Sequence, residues 1–62
     1  MYGEKVHVGD RVEVAPHLDR WMRGDRFGVV EHINRRGAVF VKMDRSGDLS
    51  QFAPSNLRRV VQ

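Results

Sequence analysis

Nine of the eleven cationic side chains in this sequence are arginine, and five of those nine fall into two groups. Arg20, Arg23 and Arg26 surround Trp21, and Arg35 and Arg36 stand side by side in a turn-forming stretch. Phe40 and Lys42 follow on the outward side of an alternating segment. A guanidinium group is planar and grips phosphate or carboxylate through two parallel hydrogen bonds. An aromatic ring beside it offers a surface on which a base can stack. Arg20, Trp21, Arg23, Arg26, Arg35, Arg36, Phe40 and Lys42 therefore form the candidate binding set, with nucleic acid or a protein as the partner. An exposed Phe40 also suits a subunit interface, so a homo-oligomer is a further expectation. The competing reading is an ordinary solvated surface, because Asp19, Asp25, Glu31, Asp44 and Asp48 lie among the cations.

Catalytic chemistry is poorly represented. His7, His17 and His32 have no spacing that joins any of them to another ligand on one element. Ser46, Ser50 and Ser55 read as turn and strand-surface residues, and no nucleophile-elbow pattern surrounds them. The glycines are scattered at turns and form no phosphate-cradling loop. Arg23-Gly24-Asp25 matches an adhesion tripeptide, but without a secretory leader it reads as a charged turn entering a strand. Asp44, Ser46 and Asp48 resemble the start of a calcium loop that lacks the later oxygen ligands and the bidentate glutamate. The absence of cysteine excludes disulfides and thiolate-held zinc. No metal is expected.

These side chains need a scaffold, and two turn sequences supply most of it. Asn34-Arg35-Arg36-Gly37 and Asp44-Arg45-Ser46-Gly47-Asp48 separate runs rich in β-branched and aromatic residues. Turn-formers between short apolar runs mark hairpins, so the pattern predicts a three-stranded meander. Its strands are Arg26 to Ile33, Ala38 to Met43 and Leu49 to Phe52. Phe27, Val29 and Ile33 share one face of the first, with Val30 opposite. The adjacent valines signal two-sided burial or a bulge, and Gly28 signals a bend or a close backbone approach. In the second, Val39, Val41 and Met43 face inward. Upstream, Lys5 to Val14 alternates through Val6, Val8, Val12 and Val14, with a turn or bulge at Gly9 and with Arg11 and Glu13 on the wet face. Ala15 to Asp25 has no period and reads as a long loop, with Trp21 folded over an open end of the barrel. Pro54 to Leu57 reads as one helical turn, and Arg58 to Val61 as the closing strand.

The resulting expectation is all-β: a five-stranded Src-homology-3-like small barrel over residues 5–62, preceded by a flexible tip at residues 1–4. Sixty-two residues permit a single domain with a thin core. The formal charge of +3 is too small for strong non-specific DNA binding, so a basic face must come from clustering. No apolar run reaches a membrane span, which with the lack of cysteine predicts a soluble, cytoplasmic protein.

Two resemblances arise from particular strings. Gly9-Asp10-Arg11-Val12, Trp21-Met22-Arg23-Gly24, Phe27-Gly28-Val29-Val30, Val39 to Asp44, Ser46-Gly47 and Phe52-Ala53-Pro54-Ser55-Asn56-Leu57 look like those of small phage and bacterial proteins of the Src-homology-3-like barrel class. That resemblance covers most of the chain and implies a fold without assigning an activity. More distantly, Gly9 to Val12, Trp21 with Gly24, and Ser50-Gln51-Phe52-Ala53-Pro54 resemble segments of the plasmid-borne, trimethoprim-insensitive type B dihydrofolate reductases. In that family four barrels enclose one pore that binds folate and NADPH. The resemblance implies a symmetric pore lined by Gln51, with Phe52 beside it as the alternative catalytic pair. Gln51 and Pro54 match the family segment. Ala53 replaces its pore tyrosine and Val14 stands where its pore lysine should be, so two contacts to the substrate and the anionic cofactor are missing.

Overall fold

The computed structural model describes residues 2–61; Met1, the first residue of the expected tip, lies outside the described residues. The elements are β1 (Arg11–Val14), the short helix α1 (Asp19–Met22), β2 (Phe27–Ile33), β3 (Val39–Met43), β4 (Leu49–Phe52), a 3-10 turn (Pro54–Asn56) and β5 (Leu57–Arg59). The five strands make one antiparallel sheet in the order β4-β3-β2-β1-β5. Both expected hairpins are present, and β4 has the expected limits. The last strand is shorter and begins one residue earlier than its charge pattern indicates.

The sheet is not closed. β4 and β5 are its two edges, so the fifth strand pairs with β1 but seals no barrel among the described residues. The sheet instead curls about one core. Val6, Val12, Val14, Val30, Val39, Val41, Met43, Phe52 and Leu57 form a single buried cluster, with Leu18, Trp21 and Ile33 packed against it. All five strands contribute to that cluster, which is why a small open sheet can exclude water from its concave side.

Two bulges account for the departures from simple alternation. At the start of β1, Gly9 N–H donates to the Val30 carbonyl and Val30 N–H donates to the Asp10 carbonyl. One β2 residue therefore serves two residues of the other strand, and parity breaks there. Val6 reaches the core while Val8 is 62% exposed, against the expectation that both face inward. In β2 the register shifts between Val30 and His32. Before the shift, Gly28 and Val30 face the core and Phe27 is exposed, the reverse of the expected face. After it, Ile33 returns to the core side while Glu31 and His32 are both exposed.

Glu13 also departs from expectation. It is only 7% exposed, because β5 and the N-terminal segment cover it. Arg58, its cross-strand neighbour, is bonded to its Oε1, and the Tyr2 hydroxyl donates to the same oxygen at 3.4 Å. Arg58 lies over the Tyr2 ring, 5.7 Å from its centroid, and Gly3 N–H donates to the Leu57 carbonyl. Tyr2 and Gly3 are thus docked on β1 and β5.

Burial, then the Glu13 carboxylate, raise the Tyr2 pKa above its ordinary value of 10.0, while Arg58 opposes the rise. The native state therefore holds this proton more tightly than the unfolded chain. The associated stability is complete below pH 10.0 and is lost as pH climbs through the raised native value. Tyr2 is the sole tyrosine, so tyrosinate absorbance reads it directly. Its midpoint is expected above 10.0, and Glu13→Gln should lower it. A midpoint at or below 10.0 would remove Tyr2 from this contact.

Candidate functional site

The expected binding residues divide into two groups at opposite ends of β2. Arg26 immediately precedes that strand and Arg35 follows it by two residues. Seven residues of strand separate the groups by up to roughly 23 Å.

The group at the α1 end is largely committed to holding the fold. Arg20 Nη1 donates to the buried Asp25 carboxylate at 3.2 Å and lies 3.6 Å from that of Asp48. It ties the α1 segment to the β3–β4 turn. Arg26 lies over the Trp21 ring, 4.5 Å from its centroid, and its Nε donates to the Trp21 carbonyl at 3.3 Å. Trp21, expected over an open barrel end, is half-buried and packs on the core of the open sheet, and the expected loop contains α1. Arg23 is exposed.

The second group is built differently. Asn34 Oδ1 accepts the N–H groups of Arg36 and Ala38, at 3.0 and 2.9 Å. This side chain fixes the β2–β3 turn and holds Arg35 and Arg36 at its tip, in the manner of an Asx-turn. Both arginines are exposed, and among the described residues neither has a carboxylate within ion-pair distance. Just below the tip, cross-strand register sets His32, Phe40 and Gln51 side by side on β2, β3 and β4. The His32 and Phe40 rings stand 5.6 Å apart at 40°. The next row is Val29, Lys42 and Leu49. Lys42 shares a shallow depression with Glu31 and Asp44, and Asp44 is itself bonded to Arg11.

A cleft of about 370 Å³ adjoins the first row, lined by Arg36, Gly37, Ala38, Gln51, Phe52, Ala53 and Pro54. Gln51 is exposed at its wall, while the Phe52 side chain turns into the core. A second, apolar pocket of about 340 Å³ shares Gly37 and Pro54 with it and has Lys5 and His7 at its rim.

The structure therefore places Arg35 and Arg36 on the turn that leads into the strand of Phe40 and sets His32 and Gln51, neither of them in the expected binding set, on either side of that ring. The signal for His32 lay in the adjacent Val29 and Val30. A bulge there carries the histidine to the outer face. Among the described residues no three His, Cys, Asp or Glu side chains converge to hold a metal ion, and no helix is long and apolar enough to cross a membrane. Comparison of the chain with protein-family models, curated proteins and solved structures finds no match. The functional reading consequently rests on the chemistry of these residues.

Proposed function

We propose that this chain is a non-catalytic binding module of the Src-homology-3-like small-barrel class that holds single-stranded nucleic acid. Arg35 and Arg36 contact the phosphate backbone, and a base lies on Phe40 with His32 and Gln51 at its edges. The observation that carries this reading is the contrast between Arg20 and the two arginines at the β2–β3 tip. Arg20 is neutralised by carboxylates, whereas Arg35 and Arg36 have none and stand at the turn that joins the strands carrying His32 and Phe40. Phe40 is half-buried rather than exposed as its alternation suggests, but His32 beside it is exposed, and unpaired guanidinium groups near such a pair are suited to phosphate contact and sequence-tolerant stacking.

The test is a fluorescence-anisotropy titration with labelled oligo-dT and oligo-U at low and physiological salt. Binding should be present at low salt and weaken steeply as salt rises. Phe40→Leu keeps an apolar side chain of similar bulk but removes the π-face, and should weaken binding about tenfold. Undetectable binding of both oligonucleotides at low salt overturns the proposal and leaves a protein partner as the reading to pursue.

A second reading is an oligomeric NADPH-dependent oxidoreductase with Gln51 lining a shared pore. The exposure of Gln51 on an open sheet edge favours it. Val14 counts against it, being fully buried where that family carries a pore lysine. NADPH consumption with dihydrofolate, followed spectrophotometrically, decides it.

A further inference from the structure

The two edges of the sheet differ in character. β5 carries Arg58 and Arg59 among its three residues, and charge on an edge discourages further pairing. β4 is Leu49-Ser50-Gln51-Phe52, with neither a charge nor a proline. Met43 N–H donates to the Asp48 carbonyl at 2.8 Å and its carbonyl accepts from Gly47 N–H at 2.9 Å, so Met43 turns its backbone groups toward the β4 side. Antiparallel pairs alternate between bonded and non-bonded positions. Val41 and Ser50 are therefore bonded to each other, and Leu49 and Gln51 turn their N–H and C=O groups outward. Among the described residues no other backbone or side-chain bond reaches those groups. Leu49 is also 59% exposed, leaving an apolar side chain next to an unpaired backbone.

An independent observation concerns Ser50, between them. It is 8% exposed, and its hydroxyl has no hydrogen-bond partner. A buried polar group without a partner is costly and calls for an explanation.

We propose that β4 is the contact between two copies of this chain, paired antiparallel about a two-fold axis at Ser50. This register sets Leu49 of each copy opposite Gln51 of the other, where each pair exchanges both N–H···O bonds. It sets Ser50 opposite its own counterpart at the non-bonded position, with Cα atoms about 4.5 Å apart. Facing serines hydrogen-bond across strands at such positions, and rotation about χ1 brings the hydroxyl to its counterpart. The same register lays the second copy's Asp48, which lies 3.6 Å from Arg20 of its own copy, against Phe52, a lining residue of the cleft. The unpaired edge and the unpartnered hydroxyl thus select the same alignment. Pairing also continues the outer row Val29, Lys42 and Leu49 from one copy into the next. This assignment stands whether or not oligonucleotides bind.

Solution mass across a concentration series, combined with edge variants, tests it. The wild type should move from monomer to dimer as concentration rises. The chain has no cysteine, so S50C introduces a single thiol. Its position across the axis suits a disulfide, and mild oxidation should give a covalent dimer. S50A should weaken the dimer about fivefold while leaving the monomer as stable as before or more so. L49K with Q51K opposes like charges on both sides of the axis and should yield a monomer with an unchanged circular-dichroism spectrum. L49K with Q51E opposes unlike charges and should restore the dimer. A wild type that stays monomeric at its solubility limit overturns the proposal. So does a dimer indifferent to L49K with Q51K, or one in which S50C fails to cross-link.

Discussion

Gly28→Ala is expected to lower the melting temperature by roughly 10–20 °C, and Gly28→Val to leave most of the chain unfolded at 25 °C. An alanine in a strand ordinarily gains roughly 0.5–1 kcal/mol over glycine through backbone entropy. Packing reverses that sign here. A Cβ at position 28 would lie 2.5 Å from the Lys42 carbonyl oxygen and 2.6 Å from the Val41 Cγ1. The first of these is backbone in the β2–β3 ladder, so relief requires the two strands to separate. Overpacking of this kind costs roughly 1–3 kcal/mol and more for a larger side chain. A domain of this length has only roughly 3–9 kcal/mol of total stability to lose. Gly37→Ala is the control. Its φ of +83° disfavours a side chain, but nothing lies within 4 Å of the added Cβ. Its cost should stay near 1–2 kcal/mol, the local price of that backbone conformation. Thermal unfolding followed by circular dichroism separates the two. Equal effects at both positions would show that the close approach at Gly28 is unimportant.

Gly28 also illustrates what was readable in the chain. A glycine inside a β-branched run signals close approach, and the register confirms one. The hairpins were legible because their turn residues are chemically specific. The inward set Val39, Val41 and Met43 was legible because the extra residue in the β2–β3 ladder lies on β2, which leaves the alternation of β3 intact. Alternation failed where a bulge adds a residue, at Gly9 and again before His32. Period-two counting cannot locate the residue at which the face changes. Glu13 departs from its expected exposure for another reason. Its solvent-side parity was right, but Arg58 and Tyr2, distant in sequence, fold over it. The same limit applied to the arginines. All share one residue type and similar neighbours, and only the fold distinguishes Arg20, which faces two carboxylates, from Arg36, which faces none.

That distinction gives the second large effect. Replacing both Arg35 and Arg36 by alanine should weaken oligonucleotide binding at low salt by about 30-fold or more and leave stability nearly unchanged. Each phosphate contact on a single strand contributes about 0.7 to the slope of log affinity against log salt. Loss of two contacts should therefore flatten the slope by about 1.4. Both guanidinium groups are exposed on a turn that Asn34 holds through backbone N–H groups, so their removal leaves that turn intact. Arg20→Ala should do the opposite. It strips the partner from Asp25, whose side chain is 8% exposed, and should cost roughly 1–3 kcal/mol of stability. Its effect on the salt slope should be negligible, because Arg20 is already neutralised and lies at the far end of β2. Anisotropy and thermal unfolding on the same two variants give four measurements. A crossed pattern assigns the tip arginines to the ligand and Arg20 to the fold. If Arg20→Ala flattens the slope as much as the double variant does, the binding surface runs along the whole sheet, and charge pairing alone does not reveal which arginines meet phosphate.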